Sequence, residues 1–205
     1  MAIRLNPFIK EGDWSALIRF LAGLARRSTD STIDRVLKSK ISNIANSTTL
    51  SNFTDEDFDI TQTFSAGMFT PGKILHIISS GIYSTTGTPT LAINHLVNAS
   101  GVGTVGALYP TGVTTANNAD NQFWMGESWT VFRAIGTSGV AMSNGKFSIT
   151  TQVSPRITTT DLYTRQDNPV DISILTTLVI NPVFSVANAS NTVTLQNLIT
   201  EFMDY

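Results

Sequence analysis

From residue 58 onward, the sequence is a series of β-branched and aromatic runs separated by turn residues, and no other feature restricts the fold as much. The turn sequences include Thr-Pro-Gly at 70–72 and Thr-Thr-Gly-Thr-Pro at 85–89. Seven or eight short strands joined in this way predict an antiparallel sandwich or barrel, and they argue against a parallel sheet with crossover helices. The runs rich in strand-forming residues cover 58–64, 73–83, 90–97, 127–135, 140–151, 171–186 and 192–203.

One dipeptide gives the strongest local turn signal. Asn144-Gly145 stands between Met142 and Phe147. A type I′ turn needs positive φ at both central residues, and Asn-Gly is the pair that tolerates this best. The sequence therefore predicts a tight hairpin at 144–145.

The first 45 residues have a different character from the rest. They carry eight Lys and Arg against four Asp and Glu, whereas residues 46–205 carry five against eleven. The balances are +4 and −6, which sum to the net charge of −2. Apolar residues recur at helical spacing in this basic segment. The first stripe consists of Trp14, Leu17, Ile18, Leu21 and Leu24, and the second of Ile33, Leu37, Ile41 and Ile44. The pattern predicts two short helices in an N-terminal arm.

Two segments of the body and its last strand resemble a known module. The segments 80–91 (SGIYSTTGTPTL), 132–139 (FRAIGTSG) and 188–202 (NASNTVTLQNLITEF) resemble the first hairpin, the central strand and turn, and the closing strand of a jelly-roll module. That module is common in structural proteins of tailed-phage virions, including capsid decoration or cement, head-fibre and tail-fibre proteins. The order and spacing also match, so the resemblance covers about residues 46–205.

The resemblance implies an architecture and a role. We expect a mostly β protein with a helical arm at 1–45 and an antiparallel jelly-roll sandwich at 46–205. The family implies a trimeric head decoration protein of the phage particle that docks on the capsid or another virion protein and stabilises it. A small tail-fibre or head-fibre component is the alternative, and a carbohydrate-binding module for host glycans is a further one.

Each helical stripe has an expected role. A stripe this apolar needs a partner, either its own body or a neighbouring molecule. A jelly roll closes its core between its own sheets, so we expect Trp14, Leu17, Ile18, Leu21 and Leu24 to anchor the protein to a partner. Ile33, Leu37, Ile41 and Ile44 form a possible oligomer seam. We predict no contact with nucleic acid or membrane.

The chemical motifs favour a protein without catalysis. The sequence has no cysteine and only two histidines, which excludes thiolate chemistry and makes a multi-histidine metal site within one chain improbable. Gly101–Gly106 spells G-x-G-x-x-G, but Tyr109-Pro110 follows where a dinucleotide site needs a helix, so a loop is expected. We predict no catalytic residues, no metal and no cofactor.

Three smaller groups of residues have alternative interpretations. The acids at 55–59 could hold a cation such as calcium, but a solvated turn is the simpler interpretation. If strands 73–83 and 90–97 pair, His76 and His95 come diagonally close. Trp124 and Trp129 could stack on a sugar, although aromatic residues on a long strand more often belong to the core.

Overall fold

The computed structural model describes residues 39–43, 45–99, 103–108, 112–134, 140–151, 156–166 and 176–204. The predicted helices before residue 39 lie outside these residues, and so do the anchoring stripe of Trp14, Leu17, Ile18, Leu21 and Leu24 and three residues of the seam, Ile33, Leu37 and Ile44. The fold described below is therefore that of the β-rich body.

The described residues form an antiparallel β-sandwich. Long runs of β-branched and aromatic residues become strands because their side chains alternate between a buried and an open face. The strands are β1 (Ser39–Asn43), β2 (Leu50–Ser51), β3 (Thr61–Phe64), β4 (Lys73–Ser84), β5 (Thr90–Ala99), β6 (Gly103–Leu108), β7 (Val113–Thr114), β8 (Gln122–Ala134), β9 (Val140–Thr151), β10 (Arg156–Gln166), β11 (Thr176–Phe184) and β12 (Thr192–Asp204).

The strands divide into two sheets that face each other. The larger sheet has the order β1-β12-β4-β8-β9-β10, with β2 also paired to β12. The smaller sheet has the order β3-β11-β5-β6, with β7 paired to β5. Among the described strands, the chain passes from one sheet to the other six times: between β2 and β3, β3 and β4, β4 and β5, β7 and β8, β10 and β11, and β11 and β12. Most neighbours in the sheets are therefore distant in sequence.

The segment at 80–91 is a connection between sheets. β4 ends at Ser84 and β5 begins at Thr90, but β4 pairs with β12 and β8 while β5 pairs with β11, β6 and β7. The predicted hairpin here is therefore wrong, and so is the predicted pairing of His76 with His95. The turn residues were recognised correctly, but local sequence does not decide which sheet a strand joins.

The predicted hairpin at Asn144-Gly145 is also wrong. Both residues lie in the middle of β9, where Gly145 is opposite Ser128 of β8 and Leu162 of β10. Pairing on both sides supplies hydrogen bonds along the whole of β9, and this outweighs the local preference for a turn.

The sheet begins earlier than the predicted domain boundary at residue 46. Ser39–Asn43 is strand β1, and it pairs with β12 in the register Ile41 opposite Thr200. The predicted helix is therefore wrong for Ile41, which is a half-buried strand residue. The segment forms the edge strand beside β12. The helical spacing of its apolar residues gave no indication of this strand pairing.

The core lies between the two sheets and is rich in aromatic residues. Phe64 of β3 contacts Phe202 of β12 edge to face, with ring centroids 5.2 Å apart. Phe58 stacks on Trp124 of β8 at 6.2 Å, and the indole is fully buried. The last strand also contributes to this core, because Leu195 and Phe202 of β12 are both buried.

Candidate functional site

The outer face of the larger sheet is unusually apolar for a solvent-facing surface. In β4 every second residue from Leu75 to Tyr83 is buried, so the residues between them point away from the core. Those outward positions include Ile74, Ile78 and Ile82. An antiparallel sheet with one solvated face usually places polar side chains there.

Pairing with β12 adds two apolar residues to this face, in rows separated by the pair His76 and Glu201. Met203 lies opposite Ile74, and Ile199 lies opposite Ile78. Both β12 residues are half-buried, whereas their neighbours Leu198 and Phe202 face the core. We call the five residues Ile74, Ile78, Ile82, Ile199 and Met203 the isoleucine patch.

A charged network crosses the patch between the Ile74 and Ile78 rows. His76 lies between two glutamates on the neighbouring strands: its Nδ1 is 3.0 Å from Glu201 Oε2, and its Nε2 is 3.0 Å from Glu127 Oε1. Lys146 of β9 reaches the other oxygen of Glu127, Oε2, at 2.9 Å. A carboxylate oxygen only accepts hydrogen bonds, so His76 makes both bonds when both of its ring nitrogens carry a proton.

The network shifts the titration of Glu127. Partial burial would raise the pKa of this carboxyl, but the hydrogen bonds from Lys146 and His76 outweigh burial and lower the pKa below its ordinary value. Glu127 is therefore held as a carboxylate in a site where its side chain is only 15% exposed.

Trp129 forms an aromatic wall beside the network. It lies opposite His76 on β8, and the two rings stack with centroids 4.9 Å apart and planes 6° apart. A pocket of about 300 Å³ adjoins the indole. Among the described residues its lining comes from β8 and β9, so the pocket is on the side of Trp129 away from His76. The lining residues are Trp129, Val131, Arg133, Met142, Ser143 and Asn144.

Arg133 reaches this pocket from an irregular position in the strand. The register between β8 and β9 shifts between Phe132 and Ala134, so Arg133 is the extra residue of a β-bulge. Bulges re-aim side chains and are common next to binding sites. The Arg133 guanidinium donates a hydrogen bond from Nη1 to Met142 Sδ at 3.6 Å.

His95 lies in the core, whereas His76 lies on the outer face of the larger sheet. It is fully buried between the sheets, with Nε2 2.8 Å from Ser79 Oγ and Nδ1 2.7 Å from Ser128 Oγ. Burial is the main cause that lowers its pKa to about 3, and the charge of nearby His76 contributes to the same shift. Both serines are themselves fully buried, so this group holds the core together and has no access to a substrate.

The acidic segment at 55–59 is tied to the protein by hydrogen bonds. Asn181 Nδ2 donates to Asp55 Oδ1 at 2.7 Å and to Asp57 Oδ1 at 2.9 Å. Asp59 accepts bonds from the hydroxyl and the amide of Thr48, which lower its pKa. Within the described part of the chain, no three His, Asp or Glu side chains are grouped so that they could hold a metal ion.

The glycine-rich motif belongs to the sheet. Gly103–Leu108 is strand β6, so the predicted loop is wrong for these residues, and no helix begins where a dinucleotide would need one. Of the two tryptophans singled out in the sequence, Trp124 is in the core and Trp129 is on the outer face. In the residues that the structure covers, no helix has the length and apolar character needed to cross a membrane.

Sequence comparison identifies no relatives for this chain. No family model and no curated protein sequence matches it. Solved structures that are distantly similar to this chain include the CBM2 module of the evolved Dit protein of Lactobacillus casei BL23 phage J-1. That match has 9% identity and a TM-score of 0.32, and it covers 71% of this chain and 69% of that one.

Two further structures are similar at the same level. A protein of unknown function from Shewanella oneidensis MR-1 has 13% identity and a TM-score of 0.34, with 81% of this chain and 78% of that one covered. Winged bean acidic lectin, complexed with methyl-α-D-galactose, has 4% identity and a TM-score of 0.34, with 80% and 86% covered. Likenesses this distant support no statement about the function of this chain.

Sequence reasoning did not find the grouping on the outer face. His76, Trp129, Glu127 and Glu201 meet only because β12, β4 and β8 are adjacent in the sheet. The available signal was the alternation in residues 73–83, which leaves three isoleucines on the face opposite the core.

Proposed function

We propose that this protein is a structural protein of a phage particle, a trimeric head decoration or cement protein that acts by burying surface between neighbouring proteins. The observation that carries this proposal is the isoleucine patch. Five apolar side chains on the outward face of one sheet are the kind of surface that another molecule covers. A tail-fibre or head-fibre component would use the same surface in the same way.

The strand order supports the jelly-roll part of the proposal. Eight strands alternate between the sheets as β1-β12-β4-β8 and β3-β11-β5-β6, an arrangement of two interleaved Greek keys. In this description β9 and β10 are an added pair that extends the larger sheet. The jelly roll encloses its own core, so the isoleucine patch is not required to complete it.

A second copy of this chain is the proposed occupant of the patch. The network within the patch places Lys146 beside Glu127 and His76 between Glu127 and Glu201, so apposed copies would meet with groups of both signs. Closed symmetry of identical subunits is the commonest way to bury such a face. The arm before residue 39 would then remain available to dock on another particle protein.

The test compares two aspartate substitutions on opposite faces of the sandwich. Ile78 and Leu96 are both half-buried aliphatic residues on outward-facing strand positions, on β4 and β5 respectively. We expect light scattering to give a trimer mass for the wild type and for Leu96→Asp, and a monomer mass for Ile78→Asp. Circular dichroism should show the same β spectrum for all three. A monomeric wild type, or an unchanged trimer in Ile78→Asp, would refute the assembly.

Carbohydrate recognition is a second candidate function, favoured by the pocket beside Trp129. A sugar ring presents C–H groups that pack on an aromatic face and hydroxyl groups that bond to amides such as Asn144. The test is a glycan array with wild type, Trp129→Ala and Phe123→Ala. Phe123 is a matched control because it is an outward-facing aromatic residue on the same strand, 46% exposed and outside the pocket. Only Trp129→Ala should lose binding, and a wild type that binds no glycan excludes this function.

A further inference from the structure

We propose that the pocket between β8 and β9 binds a sugar that carries a carboxylate group, and that Arg133 selects it over neutral sugars. This inference rests on the carbohydrate-recognition function and names its ligand class. It is separate from the proposed assembly, because none of the five residues of the isoleucine patch lines the pocket.

The aromatic wall of the pocket is rigid before any ligand arrives. One side of the Trp129 indole is covered by His76, which is itself fixed by Glu201 and Glu127 at 3.0 Å on either side. All three supporting residues are at most 16% exposed at their side chains. Because the indole is already held in place, little conformational entropy is lost when a ring packs on its free side.

The remaining walls match the two kinds of surface on a sugar ring. Val131 and Met142 provide apolar contacts for ring C–H groups, and Asn144 provides both an amide donor and an amide acceptor for hydroxyl groups. In the described part of the chain, no side chain bonds to the Asn144 amide. A volume of about 300 Å³ is at the small end for ligand pockets, which suits a single sugar ring.

Arg133 adds the preference for an acid. Its guanidinium is always protonated and offers five donors, of which one bonds to the weak acceptor Met142 Sδ. Among the residues that the structure describes, no Asp or Glu lies within ion-pair distance of this guanidinium. The bulge at Arg133 directs an unneutralised cation to the pocket, where a planar carboxylate can accept two parallel hydrogen bonds.

The experiment measures binding of methyl glucuronide and methyl glucoside, which differ only in the carboxylate, by ligand-observed NMR with the full-length protein. We expect the wild type to bind the glucuronide about tenfold more tightly, as one charge-assisted contact allows. Arg133→Gln should remove this preference, so that the two sugars bind with similar affinity. Lys73→Gln is the control, because it removes the same charge from β4, where its ammonium bonds to the Met68 carbonyl.

The results of this experiment distinguish the preference for acidic sugars from carbohydrate recognition itself. If the wild type binds both sugars equally, or if Lys73→Gln lowers glucuronide binding as much as Arg133→Gln does, the preference for acidic sugars is refuted and carbohydrate recognition stands. If the wild type binds neither these sugars nor the methyl glycosides of galacturonic and neuraminic acid, the inference fails. Loss of glucuronide binding in Arg133→Gln but not in Lys73→Gln supports it.

Discussion

The imidazole of His76 lies flat against the indole of Trp129, with the ring centroids 4.9 Å apart and the planes inclined by 6°. Because Glu201 and Glu127 hold both imidazole nitrogens, the ring cannot turn without breaking a hydrogen bond. The tryptophan is thereby fixed on the outer face of a sheet, where an aromatic side chain would otherwise be free to change rotamer. The charged network therefore shapes the pocket as well as the middle of the isoleucine patch.

Replacing Glu127 with glutamine should destabilise the protein in a pH-dependent way. The lowered pKa of Glu127 means that its contribution to the free energy of unfolding is complete above the ordinary value of 4.5 and is lost as the pH falls through the lowered value. We expect Glu127→Gln to melt at a lower temperature than the wild type at neutral pH, with a difference that shrinks in acid. Thermal melts followed by circular dichroism check this. The exposed Glu56→Gln is the control and should melt like the wild type throughout.

His95 should make the fold sensitive to acid over a different range. Its folded pKa is about 3 and its ordinary value is 6.5, so between these values the unfolded chain binds a proton that the folded chain does not. Stability is therefore lost as the pH falls from 6.5 towards 3, by on the order of 5 kcal/mol in total.

The variant His95→Gln tests this directly. The glutamine amide can still bond to Ser79 and Ser128 but does not titrate. Urea unfolding over a pH series should show a less stable protein at neutral pH and a shallower loss in acid. An identical acid slope in wild type and variant would show that other groups cause the acid sensitivity.

Gly81 is required for the close approach of three strands. A methyl group at this position of β4 would overlap the carbonyl oxygen of Thr194 on β12 and would lie 3.0 Å from Cε2 of the buried Trp124. We expect Gly81→Ala to lower the free energy of unfolding by about 2–3 kcal/mol or more, since neither a strand backbone nor a buried indole moves cheaply. Ser80→Ala is the matched control on the outward face of the same strand, and chemical denaturation should find it within about 0.5 kcal/mol of wild type.

The position of β1 leads to a prediction for two truncated chains. A chain that begins at Ser39 keeps the strand paired to β12, whereas one that begins at Asn46 exposes that edge of the sheet. We expect the first to melt close to the full-length protein and the second to melt lower or aggregate. If the anchoring prediction for Trp14, Leu17, Ile18, Leu21 and Leu24 holds, the first chain also fails to join particles. A large loss of stability in the chain from Ser39 would instead mean that the arm completes its own body.

Several strands could be predicted from local sequence because a strand depends on alternation and β-branching within a few residues. The runs at 73–83 and 192–203 coincide closely with β4 and β12. Glycine and proline at 70–72 and 85–89 mark real ends of strands, and Gly72 and Gly87 have positive φ there. These preferences act over a single turn or strand, so the surrounding fold changes them little.

The sequence by itself determined a strand-rich body with turns at these glycines, because backbone preference and side-chain alternation are local properties. Tertiary structure alone decided which strands pair, that Asn144-Gly145 stays extended, and that Ser39–Asn43 joins the sheet edge. It also created the outer-face site, in which His76 meets residues 51 and 125 positions away along the chain. Such contacts depend on the order of strands in the sheet, which is set by burial summed over the whole core.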